Sequence, residues 1–359
     1  MDEARGPLPA ALSPAAWLLA RAYGVGVAWR NARFDGGAGI RRLEVTGLRV
    51  PVISVGNLTA GGTGKSPFVA WCAARIVESG GIPVIALRGY RAGADGRSDE
   101  AEEYARTAPG ARIVVGARRR EALAAELSAP TAASWRSRAV VLLDDGFQHR
   151  RIARDLDVVL VDATRPGLDG DLLPNGWLRE PARNLARASL VVLTKARDRA
   201  LRESATRLVE RARGRGPDAA CDHAWNALEI VAAAPARSEE RGGARPVSYL
   251  RGRAVVSACA LGNPAHFHRM VERAGAQVAA RLGKPDHRAF ALGELERAAA
   301  AAGVRTVVTS RKDAVKLVGL PSRHVDLVVP ELAISFLEGE EVVRAALAGA
   351  RARAGLVSG

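Results

Sequence analysis

The sequence predicts an α/β protein of two domains, each built on a largely parallel sheet with helices covering both faces. Three observations carry this. Short Val-, Ile- and Leu-rich runs without polar alternation recur from about residue 50, as in strands buried on both faces. Segments of helical length separate them, the rhythm of β–α–β units. The 359 residues exceed what one core usually serves, and the charged, Gly-containing stretch Ala236–Arg245 reads as a linker.

In the first domain (36–235) strands are expected at Val50–Val55, Pro83–Leu87, Ile113–Val115, Ala139–Leu143, Val158–Val161 and Leu190–Leu193. Helices are expected at Lys65–Ser79, Arg118–Leu127 and Arg197–Arg213. The smaller second domain (246–359) repeats the alternation. Its strands are expected at Ala254–Ala258, Gln277–Ala280 and Thr306–Thr309, with helices at Pro264–Arg273 and Leu292–Ala302.

Ahead of both lies an N-terminal segment (1–35) whose residues 15–29, AAWLLARAYGVGVAW, are apolar apart from Arg21. A helix of about 15 residues is about 22 Å long, short of a hydrocarbon core of roughly 30 Å. Trp17, Tyr23 and Trp29 suit headgroup depth, with Arg30 and Arg33 near lipid phosphates, so a membrane-associated helix separable from the α/β core is expected. A core helix is the alternative reading.

The formal net charge is +15, and all but five of the 53 basic residues are arginine. A coding bias towards Arg and Ala explains this, as does attraction to an anionic surface. No zinc-finger spacing, RNP-like string or basic–aromatic interleaving points to nucleic acid, which leaves an anionic membrane as the expected partner. No obligatory protein partner is evident. Cys72, Cys221 and Cys259 lie far apart, with neither metal-ligand nor disulfide spacing.

The strongest local signal is VISVGNLTAGGTGKSPFVAW. An apolar strand runs into a Gly-rich loop, and Lys65-Ser66 opens a helix. Gly61, Gly62 and Gly64 let backbone N–H groups turn inward around phosphate oxygens, which a helix N-terminus also favours. This is a P-loop, with Thr59 where the strict pattern has glycine, and the first domain is therefore of the P-loop NTPase type. Thr59, Ala60, Gly61, Gly62, Thr63, Gly64, Lys65 and Ser66 are the expected ATP-phosphate cradle. Lys65 reaches the β/γ-phosphates, and Ser66 ligates Mg²⁺. Downstream, AVVLLDD ends a buried-strand pattern on Asp144 and Asp145, as a Walker B motif does, and two such carboxylates can divide metal and proton work. Spacing alone does not say which does what.

After those aspartates comes GFQHRRIARDLDVVLVDATRPGLDGDLLPNGWLREPARNLARASLVVLT. Together with GNLTAGGTGKSP, RGYR, SDEAEEYAR, LGNPAHF, KPDHRAF and SRKDAVKL, this string resembles the tetraacyldisaccharide 4'-kinases of lipid A biosynthesis over nearly the whole chain. The resemblance implies a two-domain kinase on the cytoplasmic face of the inner membrane. Its reaction is transfer of the ATP γ-phosphate, with Mg²⁺, to the 4'-hydroxyl of a tetraacylated glucosamine disaccharide 1-phosphate. Mapped by motif, Asp99 is the implied base beside Glu100, a further metal candidate, and Asp144 resembles the Walker B ligand. Asp145 is implied to pair with His287, and Gln148 and His149 resemble residues near the phosphates. Arg88, Tyr90, Arg91 and Arg179 are candidates for the substrate, with Arg118, Arg120 and Arg151 offering further guanidiniums for its 1-phosphate or ATP. Each arginine also reads as an ordinary surface residue. Ser98 before Asp99, Arg288 after His287 and Ser310-Arg311 depart from the family pattern; the first bears on how the Asp99 loop turns. A membrane-docked nucleotide-switch ATPase or GTPase is the rival, although such a switch has no need of a base for an acceptor hydroxyl. Thr194-Lys195 reads as a base-recognition lysine or as a helix start.

Overall fold

The computed structural model describes residues 13–45, 47–89, 99–232, 244–285, 288–317 and 324–355. Contacts divide the chain into two compact units, residues 1–222 with 334–359, and residues 223–333.

The first unit begins with helix α1 (Ser13–Asp35) and a short antiparallel hairpin, β1 (Glu44–Val45) and β2 (Leu48–Arg49). Then follow β3 (Val52–Gly56), α2 (Lys65–Glu78), β4 (Ile82–Leu87), α3 (Asp99–Thr107), β5 (Arg112–Val115), α4 (Arg119–Ser128), β6 (Ala139–Asp144), β7 (Leu156–Asp162), β8 (Leu190–Thr194) and α5 (Arg199–Arg213). The chain passes into the second unit within β9 (Ala219–Ala232). Sheet order in the first unit is β9-β8-β7-β3-β6-β4-β5, and every neighbouring pair is parallel. The central strands are buried along their length because both faces are covered, which is why their sequences lack polar alternation. Ile53, Val55, Leu142 and Val158 face a core with Phe68 and Val69 of α2, whereas Val52, Val141 and Leu143 face a second with Leu123 and Leu127 of α4.

The second unit holds β10 (Ala244–Arg245), β11 (Ala254–Cys259), α6 (Pro264–Arg273), β12 (Gln277–Gly283), α7 (Leu292–Ala301), β13 (Thr306–Thr309) and α8 (Arg311–Ala314). Its parallel order is β12-β11-β13, followed by β14 (Asp326–Glu338), within which the chain returns to the first unit. Asn263 caps α6 by accepting from the His266 amide, ahead of Pro264 at the first turn. His266 and His268 go separate ways, as their spacing implied: His266 sits edge-on to His223, and His268 Nδ1 lies 2.7 Å from Ser257 Oγ.

The structure differs from the sequence expectation at α1, β9 and the C-terminal helix, and it adds α3 and β14, which were not expected. Strand β9 escapes notice because Asp222, His223, Asn226 and Glu229 interrupt its apolar run. The C-terminal helix α9 (Glu340–Gly355), in a stretch expected to belong to the second domain, packs on the first unit: Val343, Leu347 and Ala350 join the core of α2, and the Phe336 and Trp71 rings lie 4.9 Å apart, tilted by 54°. Helix α1 is longer than expected and packs against the rest of the first unit. Ala16, Ala20, Val27 and Asn31 are buried, Tyr23 Oη donates to the Arg179 carbonyl, and Asn31 Nδ2 donates to Glu180. The other face carries Leu18, Val25 and Trp29, exposed by 63, 71 and 69%. Among the described residues no helix is long and apolar enough to cross a membrane. Of the expected linker, only β10 lies among the described residues.

Candidate active site

Parallel pairing puts the C-terminal ends of β3, β6, β7 and β8 on one edge of the sheet, the edge where open α/β sheets hold ligands. The Gly-rich loop leaves β3 there. Gly61 (φ 125°) and Gly64 (φ 80°) take up backbone conformations that L side chains resist, and Gly64 caps the N-terminus of α2. The loop is strapped from outside by residues 177–179. Ala60 N donates to the Trp177 carbonyl at 2.7 Å, Thr59 bridges Leu178, and Arg179 N donates to the Leu58 carbonyl. From the β8 end, Thr194 Oγ1 donates to the Thr63 carbonyl and Lys195 Nζ to that of Gly62. Lys195 also pairs with Asp162 at the end of β7, and the α5 cap is Asp198. Lys195 therefore braces the loop rather than starting a helix.

Lys65 opens α2 and extends across this edge. Its ammonium donates to Asn57 Oδ1 at 3.1 Å and lies 3.5 Å from Asp145 Oδ1. Asn57 is held in turn, donating to the Thr59 carbonyl, and its own carbonyl accepts from Gln148 Nε2. Asp145, just past the end of β6, adopts a left-handed conformation (φ 49°), rare for a residue with a side chain. Both its oxygens accept from Arg179 Nη1, at 2.9 and 2.7 Å. Burial tends to raise the Asp145 pKa, but Lys65 and Arg179 outweigh it, so the group is held below the ordinary carboxylate range. Asp144 is buried at the strand end, and Oδ2 accepts from Tyr104 Oη at 2.9 Å. Its Oδ1 is buried with no hydrogen-bond partner among the described residues. Burial lifts the Asp144 pKa even though Lys65 and Tyr104 pull it down.

Glu100, in the first turn of α3, is raised by desolvation and then by the charges of Asp144 and Asp145. Arg119 donates to the Asp145 carbonyl, and burial lowers its pKa against the pull of both aspartates. His149 is lowered to about 4, first by burial and then by Arg119, Arg154 and Arg151, so its imidazole is neutral at pH 7. No cluster of three or more His, Cys, Asp or Glu side chains among the described residues forms a metal cage. A small divalent cation would be held as Mg²⁺ commonly is, by one or two protein oxygens together with phosphate and water.

The structure thus gathers Lys65, Ser66, Glu100, Asp144, Asp145, Gln148 and Arg179 of the expected site residues. His149 follows Gln148, and Arg88 lies at the end of β4. Asp99 opens α3. Tyr90, Arg91 and His287 lie outside the described residues, and the partners seen for Asp145 are Lys65 and Arg179. Sequence reasoning missed Asn57, Tyr104, Asp162 and Glu180. For Tyr104 a signal exists: it stands four residues after Glu100 on one helix, hence on the same face. Asn57 and Asp162 each lie at or just past a strand end on this edge, a position shared with Asp144.

Comparison with known proteins adds three findings. A family model described as tetraacyldisaccharide-1-P 4'-kinase matches residues 10–350. A relative from Anaeromyxobacter sp. (strain K), named tetraacyldisaccharide 4'-kinase, is 41% identical over 98% of this chain and 94% of its own. One of the same name from Syntrophus aciditrophicus is 34% identical over 82% of each. In fold, the chain is similar to a crystal structure of LpxK from Aquifex aeolicus in complex with ATP, with a TM-score of 0.63, 24% identity and coverage of 95% of this chain and 98% of that one.

Proposed function

The chain belongs to the tetraacyldisaccharide-1-P 4'-kinase family, and we propose that its P-loop edge moves the γ-phosphate of ATP onto the 4'-hydroxyl of a tetraacylated glucosamine disaccharide 1-phosphate in lipid A biosynthesis. The observation that carries this reading is the meeting of Lys65, Asp144 and Asp145 at one strand edge beside a backbone cradle open to an anion. Phosphoryl transfer rests on positioning and charge neutralisation, and these residues supply both.

The loop Thr59–Ser66 would hold the phosphates, with Lys65 as the fixed counter-ion of the γ-phosphate. Arg179 and Asp145 hold that ammonium at its post, and Arg179 has a guanidinium edge to offer phosphate oxygens. The donor set also fits Mg²⁺: Asp144 Oδ1 is buried with no hydrogen-bond partner among the described residues, and the Ser66 hydroxyl follows Lys65 in the first turn of α2. When bound, the ion neutralises phosphate charge. Glu100 stands near enough to feel both aspartates, which suits a role at the same ion. Asp99, at the first position of α3, is the proposed base for the acceptor hydroxyl, and His287 a proposed aid to transfer. Arg88, Tyr90, Arg91, Gln148 and His149 are proposed to meet substrate or phosphate. The apolar outer face of α1 suits an anionic membrane surface, proposed as the cytoplasmic face of the inner membrane.

The test is transfer from γ-labelled ATP to the tetraacyl disaccharide 1-phosphate in detergent, with and without Mg²⁺. Label appearing in the lipid only when Mg²⁺ is present is the expected result. Acceptor-independent hydrolysis with no labelled lipid would instead indicate a nucleotide switch.

A further inference from the structure

Tyr104 belongs to none of the roles above, yet it is fully buried in the core between β3, β6 and α2. A phenol at such depth is kept where its hydroxyl finds partners. This one finds Asp144, a proposed ligand of the cation. Its single hydrogen goes to Asp144 Oδ2, at 2.9 Å. Asp144 Oδ1 is left buried, with no hydrogen-bond partner among the described residues.

We infer that Tyr104 is a positioning residue that orients Asp144, so that its Oδ1 presents a free lone pair to a divalent cation. The inference rests on the reading of Asp144 as a cation ligand. Outer-shell groups of this kind fix the direction of a ligand and commonly govern 10- to 100-fold of metal affinity. Tyr104 also sits on the helix that begins with Asp99 and carries Glu100, so the same hydroxyl ties that helix to the end of β6.

Tyr104→Phe tests this, because it keeps the ring that fills the core and removes only the oxygen. Mn²⁺ binding to the full chain with a non-hydrolysable ATP analogue, followed by electron paramagnetic resonance, gives a readout separate from turnover. Thermal melting and metal-free analogue binding serve as controls. Tyr104→Phe is expected to weaken Mn²⁺ about 10-fold or more, with metal-free analogue affinity within about 2-fold of wild type. Asp144→Asn in the same assay separates the two levels of the argument. If Asp144→Asn weakens Mn²⁺ and Tyr104→Phe does not, Tyr104 only fills the core and the inference fails while the ligand assignment stands. If Asp144→Asn leaves Mn²⁺ affinity unchanged, the ligand assignment itself fails. A lowered melting midpoint in Tyr104→Phe with wild-type Mn²⁺ affinity also overturns the inference, since a merely structural tyrosine behaves in that way.

Discussion

Lys65 shows why a lysine persists in a chain that otherwise uses arginine almost throughout. Its ammonium fits between Asn57 Oδ1 and Asp145 with a donor left for a ligand, whereas a planar guanidinium is wider and its donors are fixed in one fork. Lys65→Ala is expected to lower kcat by about two orders of magnitude or more, since a preorganised charge at the transferring group is lost. Lys65→Arg is expected to fail nearly as badly, and steady-state kinetics of both variants check this. His149 makes a prediction about pH. Its folded-state pKa is about 4, against an ordinary value of 6.5, because burial and three arginines disfavour the cation. Between those two values the unfolded chain binds a proton that the folded chain does not, so stability falls as pH drops through that window. Urea melts at pH 7 and pH 5 are expected to show a smaller acid loss in His149→Asn than in wild type. Equal losses in the two proteins would remove His149 from the acid response.

At the scale of elements, α1 has two faces with different jobs. The inner face ends in a buried polar knot: Glu180 is 0% exposed and accepts from Asn31, Asn184 and Arg187, with Arg30 3.5 Å away. These partners outweigh the cost of burial and hold its carboxyl below the ordinary range. Glu180 adjoins Arg179, and residues 177–179 strap the P-loop, so the helix is tied to the nucleotide edge through bonds rather than appended to it. Asn31→Ala is expected to cost about 1–3 kcal/mol, since a hydrogen bond to a buried charge is lost, and to leave membrane binding intact. Leu18→Glu with Trp29→Glu is expected to do the reverse, lowering vesicle binding with little change in the melt. Circular-dichroism melts and vesicle flotation of both variants decide; one phenotype shared by both would mean that the faces are not separate.

For the molecule as a whole, the net charge of +15 makes long-range attraction to an anionic bilayer a salt-dependent term laid over the apolar contact of α1. Binding to vesicles containing acidic lipid is expected to fall several-fold between about 50 and 500 mM salt, where the Debye length shrinks from over 10 Å to a few. Salt-independent binding would assign the attachment to the apolar face alone. The sequence by itself determined most of the strands and helices of both alternations, the P-loop and the carboxylates that end β6. Each of these is written locally, in apolar runs, helix-length spacings and a glycine pattern that only a phosphate cradle requires. Tertiary structure alone decided what those residues touch. Tyr104 and Asp144 lie 40 positions apart, Arg179 and Asp145 lie 34 apart, and Asn31 and Glu180 lie 149 apart. No periodicity records such pairs, because parallel register, not spacing along the chain, sets which strand ends and which helix faces become neighbours. Likewise β9 and β14 are long strands with polar interruptions, and α9 packs beside α2 only because the chain returns through β14. Local sequence therefore specifies the pieces and their chemistry, and the pairing of distant strands decides which side chain holds which.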